Sequence, residues 1–172
     1  IDLFADVTAE ESYENAIRIE SIDLENRKHV IKSTLNERII DYTGKEKTKK
    51  VLRPILRAVR KTMDLLNVNA GLEIYINSKI PPSAGLGSSA AVAVAASAAT
   101  MKLLGFELNK EIVWKAAFEA ERIVHKNPSG IDITISTYGG MILYKKGEKP
   151  IVLKKSEKAI FLIAYTGKRM PT

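Results

Sequence analysis

The chain has 172 residues, of which 45% are hydrophobic and 27% charged; this composition fits one ordinary globular domain with a core and excludes a disordered tail. It has no cysteine, which excludes disulfides and thiolate metal sites and favours a reducing, cytoplasmic location. The longest apolar run, residues 90–101, is too short to cross a bilayer, so we expect no membrane partner.

Strand-type and helix-type patterns alternate along the chain, which predicts a mixed α/β fold of the α+β class. The predicted strands lie at residues 1–7, 12–25, 28–33, 72–76, 141–144 and 161–165. The predicted helices lie at residues 54–66, 88–104, 110–124 and 133–137. The sequence contains no internal repeat and no low-complexity linker.

Local signals set the ends of the predicted helices. Pro54 suits the first turn of the first helix, and either Ser88 or Ser89 can cap the second. Asn109 is a cap for the third helix, whose apolar stripe consists of Val113, Ala116, Ala117, Ala120, Ile123 and Val124. Glu121 falls at the border of this stripe, so its carboxylate is either partly buried or directed at a ligand.

Both ends of the sequence look cut. The first residue, Ile1, is not an initiator methionine and already lies in a strand-like run, and Thr172 follows another such run without a helix or cap. We therefore expect the chain to be an internal piece of a longer protein.

One basic segment contributes strongly to the formal net charge of +7. Its cations could bind a nucleic acid or an anionic small molecule, or solvate one face of a helix. The segment has no aromatic residue on which bases could stack, so we favour the solvated face and expect no nucleic-acid partner. The basic residues are Lys45, Lys47, Lys49, Lys50, Arg53, Arg57, Arg60 and Lys61.

A glycine-serine segment, Pro-Pro-Ser-Ala-Gly-Leu-Gly-Ser-Ser-Ala-Ala at residues 81–91, follows a predicted strand and opens a predicted helix. The free N–H groups and positive dipole of a helix start can bind phosphate, and glycines let oxyanions approach the backbone. An ordinary capped turn is the alternative. A Walker loop is excluded because no lysine follows Gly87, and a dinucleotide site would need a second strand for which Gly105–Glu107 leaves no room.

Two acidic residues downstream could complete a phosphoryl-transfer site. Such a site needs a metal ion on the phosphate oxygens and a carboxylate that orients or deprotonates the attacking hydroxyl. Glu121 and Asp132 could supply these functions if the chain folds back on itself. Taken separately, Glu121 is a partner for Arg122 or Lys126, and Asp132 is the cap of the helix predicted at residues 133–137.

Taken together, these motifs resemble a known family. Residues 81–91 resemble the central signature of the GHMP small-molecule kinases, which include galactokinases, homoserine kinases, mevalonate kinases and phosphomevalonate kinases. The stretch Glu-Arg-Ile-Val-His-Lys-Asn-Pro-Ser-Gly-Ile-Asp at residues 121–132, followed by Ser-Thr-Tyr-Gly-Gly at 136–140, is more selective and is similar to the mevalonate kinases of that family. Lys126 replaces their usual glycine and Tyr138 their tryptophan, both mild departures.

The resemblance implies a fold and a reaction. Residues 1–172 would be part of the amino-terminal, ATP-binding domain, with an unusual left-handed β-α-β unit, and a ferredoxin-like second domain would lie outside this chain. The parent protein would phosphorylate the primary hydroxyl of mevalonate with ATP and Mg²⁺, and a homodimer is compatible with this reading. The family's Pro-Gly-Lys motif and its later glycine-rich motif are absent from the sequence, so we expect this chain alone to be inactive or nearly so.

The resemblance also implies roles for individual residues. Ser89 and Glu121 would be the Mg²⁺ ligands, Asp132 the catalytic carboxylate that contacts the substrate, and Thr166 a residue near the substrate pocket. The triphosphate would lie along a loop made of Pro82, Ser83, Ala84, Gly85, Leu86, Gly87, Ser88, Ser89, Ala90 and Ala91.

Two alternatives remain open at this point. The parent protein could be another GHMP small-molecule kinase, or a non-catalytic module of the same fold that binds anions or RNA. The pair of Glu121 and Asp132 favours an enzyme, because a module that binds phosphate backbones gains nothing from carboxylates near its anion site.

Overall fold

A computed structural model describes residues 3–43, 46–82 and 84–153. The strands are β1 (Ala5–Ser12), β2 (Ala16–Ile22), β3 (Lys28–Thr34), β4 (Ile39–Tyr42), β5 (Gly71–Ser78), β6 (Met141–Leu143) and β7 (Ile151–Leu153). The helices are α1 (Glu46–Leu66), α2 (Ser88–Leu103), α3 (Lys110–Val124) and α4 (Ile131–Tyr138). The mixed α+β class is confirmed. The strand predicted at residues 161–165, and the site residues Ser83 and Thr166, lie outside the described residues.

The main sheet has five strands in the order β1-β5-β2-β3-β4, and β6 pairs with β7 separately. β5 runs antiparallel to β1 and parallel to β2. Because β1 and β2 flank β5, the short connection between them has to pass the start of β5. It does so at Gly71, where an added Cβ would lie only 1.8 Å from the carbonyl oxygen of Glu14.

The core lies between one face of this sheet and the helices. Alternating residues of β2, β3 and β5 are fully buried on this face, as the period of a strand requires. α1 covers them with a stripe of apolar side chains, and Val92 and Ala96 of α2 join the same cluster. The opposite face is polar: Arg18 pairs there with Glu20 at 2.6 Å and with Glu73 at 3.3 Å. α1 and α2 therefore form a layer on one side of the sheet, and α3 and α4 pack against these two helices.

The prediction that the first helix begins at Pro54 is wrong, since α1 begins at Glu46. Thr48 and Leu52 are 3% and 0% exposed, so the buried stripe continues for two turns before the proline. A proline inside a helix removes one hydrogen bond and crowds the preceding turn. The packing of this extended stripe outweighs that cost.

The other helix ends are partly as predicted. Asn109 caps α3, its Oδ1 accepting hydrogen bonds from the N–H groups of Glu111 at 2.9 Å and Ile112 at 3.2 Å. The apolar stripe of α3 is buried only as far as Ala120. Ile123 and Val124, predicted to belong to it, lie in the last turn and are 43% and 51% exposed.

Three cations of the predicted basic face pair with acidic side chains of the same chain. Lys49 contacts Glu46 at 3.0 Å and Arg57 contacts Glu37 at 2.5 Å. Arg60 contacts Asp64 at 2.6 Å. These pairs support the interpretation of α1 as a solvated helix face. None of the helices in the described ranges is sufficiently long and apolar to span a membrane.

Candidate active site

The start of α2 has the backbone geometry of the candidate phosphate site that the sequence predicts. Gly85 and Gly87 adopt left-handed conformations with φ of 73° and 64°, which glycine tolerates without strain. The first bond of the helix joins the Ala91 N–H to the Gly87 carbonyl at 2.9 Å. The N–H groups of residues 88–90 therefore have no acceptor within the helix and lie at its positive end.

Neither predicted serine caps this helix. Gly87 is the N-cap and offers no side-chain acceptor, so Ser88 and Ser89 are the first helical residues. The Ser88 hydroxyl donates instead to the Ile80 carbonyl at 3.3 Å, which ties the start of the loop to the start of the helix. Ser89 is exposed, so its hydroxyl is accessible to a ligand.

The remaining predicted loop residues surround this helix start in different environments. Pro82 and Gly85 are exposed, Ala84, Leu86 and Ala91 are half-buried, and Ala90 is buried. Ala90 packs in a second cluster with Ala93, Ala117, Ala120 and Ile133. Because Ile133 belongs to α4, this cluster joins the start of α2 to the helix that carries Asp132.

Asp132 lies directly beside the start of α2. A Cβ added at Gly87 would be 3.5 Å from the Asp132 carboxyl carbon and 3.7 Å from its Oδ2. Asp132 is not the helix cap that one interpretation predicted: α4 begins at Ile131 after Gly130, so Asp132 is in its first turn. The structure thus places an exposed carboxylate against the backbone that would hold phosphate.

Glu121 lies in the same neighbourhood and is half-buried. Its Oε2 is buried and has no hydrogen-bond partner among the described residues. Burial and the charge of Asp132 raise its pKa, whereas the charges of His125 and Lys146 act in the opposite direction. A buried carboxylate without a donor, next to a second carboxylate, is a natural position for a bound cation.

The donors present fit Mg²⁺. In the described part of the chain no three His, Cys, Asp or Glu side chains come together to form a metal cage. Mg²⁺ at phosphate sites does not need one, since it is commonly held by one or two carboxylates and the phosphates themselves. The Ser89 hydroxyl and the Glu121 carboxylate are the hard oxygen donors that such an ion requires.

We expect Glu121→Gln to stabilise the full-length protein in the presence of a chelator. Because the folded-state pKa of Glu121 is raised, the native protein binds the proton more tightly than the unfolded chain. Stability from this group is therefore lost as the pH rises from the unfolded pKa to the raised folded value. At pH 7 the glutamine variant should unfold at a higher temperature than wild type, with the difference vanishing near pH 4. If the thermal unfolding midpoints of the variant and the wild type are equal at pH 7, the ionised Glu121 carboxylate does not destabilise the fold.

Some residues that hold this site were missed by the sequence analysis. The loop at residues 125–130, between α3 and α4, is contacted by Tyr144 and Lys146, which follow β6. The Trp114 indole N–H donates to the Thr134 hydroxyl of α4 at 2.9 Å. The strand prediction at residues 141–144 included Tyr144, but no local pattern indicates that its hydroxyl returns to the loop.

The chain matches a known protein family and several curated proteins. The family described as GHMP kinases N terminal domain matches residues 50–140. A mevalonate kinase of Pyrococcus furiosus is 39% identical, with the alignment covering 100% of this chain and 51% of the relative. The chain spans about half the length of this and other curated relatives.

Solved structures give the same relationship in three dimensions. The crystal structure of the Methanococcus jannaschii mevalonate kinase has a TM-score of 0.73 at 29% identity, covering 90% of this chain and 47% of that one. That of L. major mevalonate kinase in complex with R-mevalonate has a TM-score of 0.61 at 26% identity, covering 88% and 42%. The chain therefore belongs to the GHMP kinases, and residues 50–140 carry the family's N-terminal domain.

Proposed function

We propose that the protein containing this chain transfers the γ-phosphoryl group of ATP to the primary hydroxyl of mevalonate, giving 5-phosphomevalonate. The observation that carries this proposal is the position of the Asp132 carboxylate against Gly87, at the anion-binding start of α2. The relatives named mevalonate kinase supply the substrate. ATP as phosphate donor follows from the kinase family.

The residues of this chain have separate functions in that reaction. The free N–H groups at the start of α2 donate to phosphate oxygens and hold the nucleotide, while Gly85 and Gly87 keep side chains out of the way. Asp132 accepts a hydrogen bond from the substrate hydroxyl, orients it and can take its proton as the oxygen attacks phosphorus. Positioning and electrostatics of this kind account for most of the catalysis in phosphoryl transfer.

Ser89 and Glu121 are the residues that would hold Mg²⁺, which, when bound, neutralises the charge on the phosphate oxygens. Glu121 is suited to this function because its buried Oε2 has no donor from the described residues. Ser89 belongs to α2 and Glu121 to α3, so the ion site depends on the packing of these two helices.

The test is an assay of the full-length protein with ATP and Mg²⁺ on a panel of alcohols. Mevalonate, phosphomevalonate, homoserine and galactose would be compared by ADP release, with the products identified by ³¹P NMR. We expect kcat/KM for mevalonate to exceed the others by about 100-fold or more. Preference for another alcohol would make the substrate assignment wrong and leave a GHMP kinase of different specificity. No transfer to any of them, together with tight RNA binding, would instead favour the binding module.

A further inference from the structure

The segment that follows β6 runs back along the loop that leads to Asp132. The Tyr144 hydroxyl donates to the Ser129 carbonyl, and the Lys146 ammonium donates to the Asn127 Oδ1 at 2.5 Å. Lys146 lies two residues after Tyr144, whereas its partner Asn127 lies two residues before Ser129, the partner of Tyr144. The two segments therefore lie antiparallel, joined by side chains. We call Tyr144 and Lys146 the strap.

The strapped loop has little regular structure of its own. Residues 125–130 belong to neither a helix nor a strand, so their position depends on contacts from outside the loop. Gly130 has a φ of 78°, and a Cβ added there would lie 3.0 Å from both the Tyr144 hydroxyl oxygen and Phe118 Cε2. The Tyr144 hydroxyl thus lies against the N-cap of α4, two residues before Asp132.

Helix α3 also contacts the start of α4, next to the strap. Trp114 stacks on Phe118 with ring centroids 4.8 Å apart and an angle of 11° between the rings. Its indole N–H donates to the Thr134 hydroxyl at 2.9 Å, and that hydroxyl donates to the Gly130 carbonyl at 2.7 Å. α3 and the strap therefore both hold the end of the loop, and they meet beside Gly130.

The strap also lies near the second carboxylate of the site. Burial raises the pKa of the Tyr144 phenol, the Thr134 hydroxyl lowers it, and the Glu121 charge raises it. The Lys146 charge acts on Glu121 in turn and favours its ionised form. Both strap residues are therefore coupled to the charge of Glu121 and also bind the loop that leads to Asp132.

We propose that Tyr144 and Lys146 are positioning residues, which hold the 127–130 loop so that Asp132 faces the start of α2. The proposal rests on the proposed kinase function for its effect on rate. The claim that the strap fixes the loop does not depend on that function. The two claims can therefore be tested separately.

The experiment compares Tyr144→Phe and Lys146→Met with wild type in the full-length protein. Each change removes the polar contact and keeps most of the side-chain volume. Tyr75→Phe is the matched control for the tyrosine, because its hydroxyl donates to Glu73 at 2.7 Å on the far side of the sheet. Lys145→Met is the control for the lysine, since its ammonium pairs with Glu148 at 2.5 Å and not with the loop.

Two measurements are made on each variant. We expect amide hydrogen exchange in a peptide covering residues 126–133 to become about threefold faster in the strap variants and to stay at the wild-type rate in the controls. We expect kcat with mevalonate to fall about tenfold in the strap variants, while KM for ATP changes less than about twofold, because ground-state binding is kept and orientation is lost.

The outcomes separate the two proposals. If amide hydrogen exchange in residues 126–133 of both strap variants is as slow as in wild type, the strap does not fix the loop. Faster exchange with an unchanged kcat would overturn its positioning role, and an equal loss of kcat in the Tyr75 and Lys145 controls would do the same. If the wild-type protein phosphorylates none of the alcohols tested, the proposed function fails, and the exchange comparison still decides whether the strap fixes the loop.

Discussion

Asp132→Asn should lower kcat for mevalonate phosphorylation by about a thousandfold in the full-length protein, within the range expected for loss of a general base. The amide has nearly the same shape but can neither take a proton nor carry the charge that orients the hydroxyl. Asp132 is exposed and makes its close approach to the backbone of Gly87, so the fold should tolerate the change. The measurement is steady-state kinetics with a thermal unfolding scan on the same preparation.

Glu111→Gln is the matched control for this variant. Glu111 is also an acidic residue in the first turn of a helix, and it pairs with Lys115 at 2.7 Å, far along α3 from Glu121. Both substitutions remove a negative charge from a helix start, which costs about 1 kcal/mol or less. Only Asp132→Asn should affect the rate. Retention of more than about a tenth of wild-type kcat in that variant would contradict a general-base function.

Gly71→Ala should destabilise the protein by about 3 kcal/mol or more, because the added methyl group has no space. Its Cβ would lie 1.8 Å from the Glu14 carbonyl oxygen and 2.6 Å from that of Ser12. Both are backbone atoms of the connection that passes the start of β5, so no side-chain rotation can relieve the clash. The measurement is the unfolding midpoint and the soluble yield of the full-length protein.

Gly105→Ala separates this clash from the ordinary cost of replacing a glycine. Gly105 has a φ of 82° after α2, and among the described residues no atom beyond its chain neighbours lies within 4 Å of an added Cβ. An alanine there should cost about 1 kcal/mol, from backbone strain alone. Equal losses in the two variants would mean that the connection between β1 and β2 can move away from Gly71.

The elements with strong local signals could be predicted from the sequence. Alternation gave β5, and the Asn109 cap gave the start of α3 correctly. Gly71, in contrast, is the position at which the connection between β1 and β2 passes the start of β5. That function depends on the order β1-β5-β2 in the sheet, which no local pattern contains.

The candidate site shows the same division. Its individual residues could be chosen from chemistry and from resemblance to a family, but whether Asp132 approaches Gly87 depends on the packing of α4 against α2. The contacts of Tyr144 and Lys146 with the loop join residues 15 and 19 positions apart in the sequence. Periodicity cannot reveal such contacts, because they arise only when the chain returns after β6.

The central claim is that the phosphates of ATP bind at the start of α2, beside Asp132. The most direct test is hydrogen exchange of the full-length protein with Mg²⁺ and a non-hydrolysable ATP analogue, using adenosine as the control without phosphates. We predict slower exchange in a peptide covering residues 84–91 with the analogue and no change there with adenosine, since only phosphate engages these N–H groups. Protection confined to the basic face of α1, with residues 84–91 unchanged, would contradict the claim.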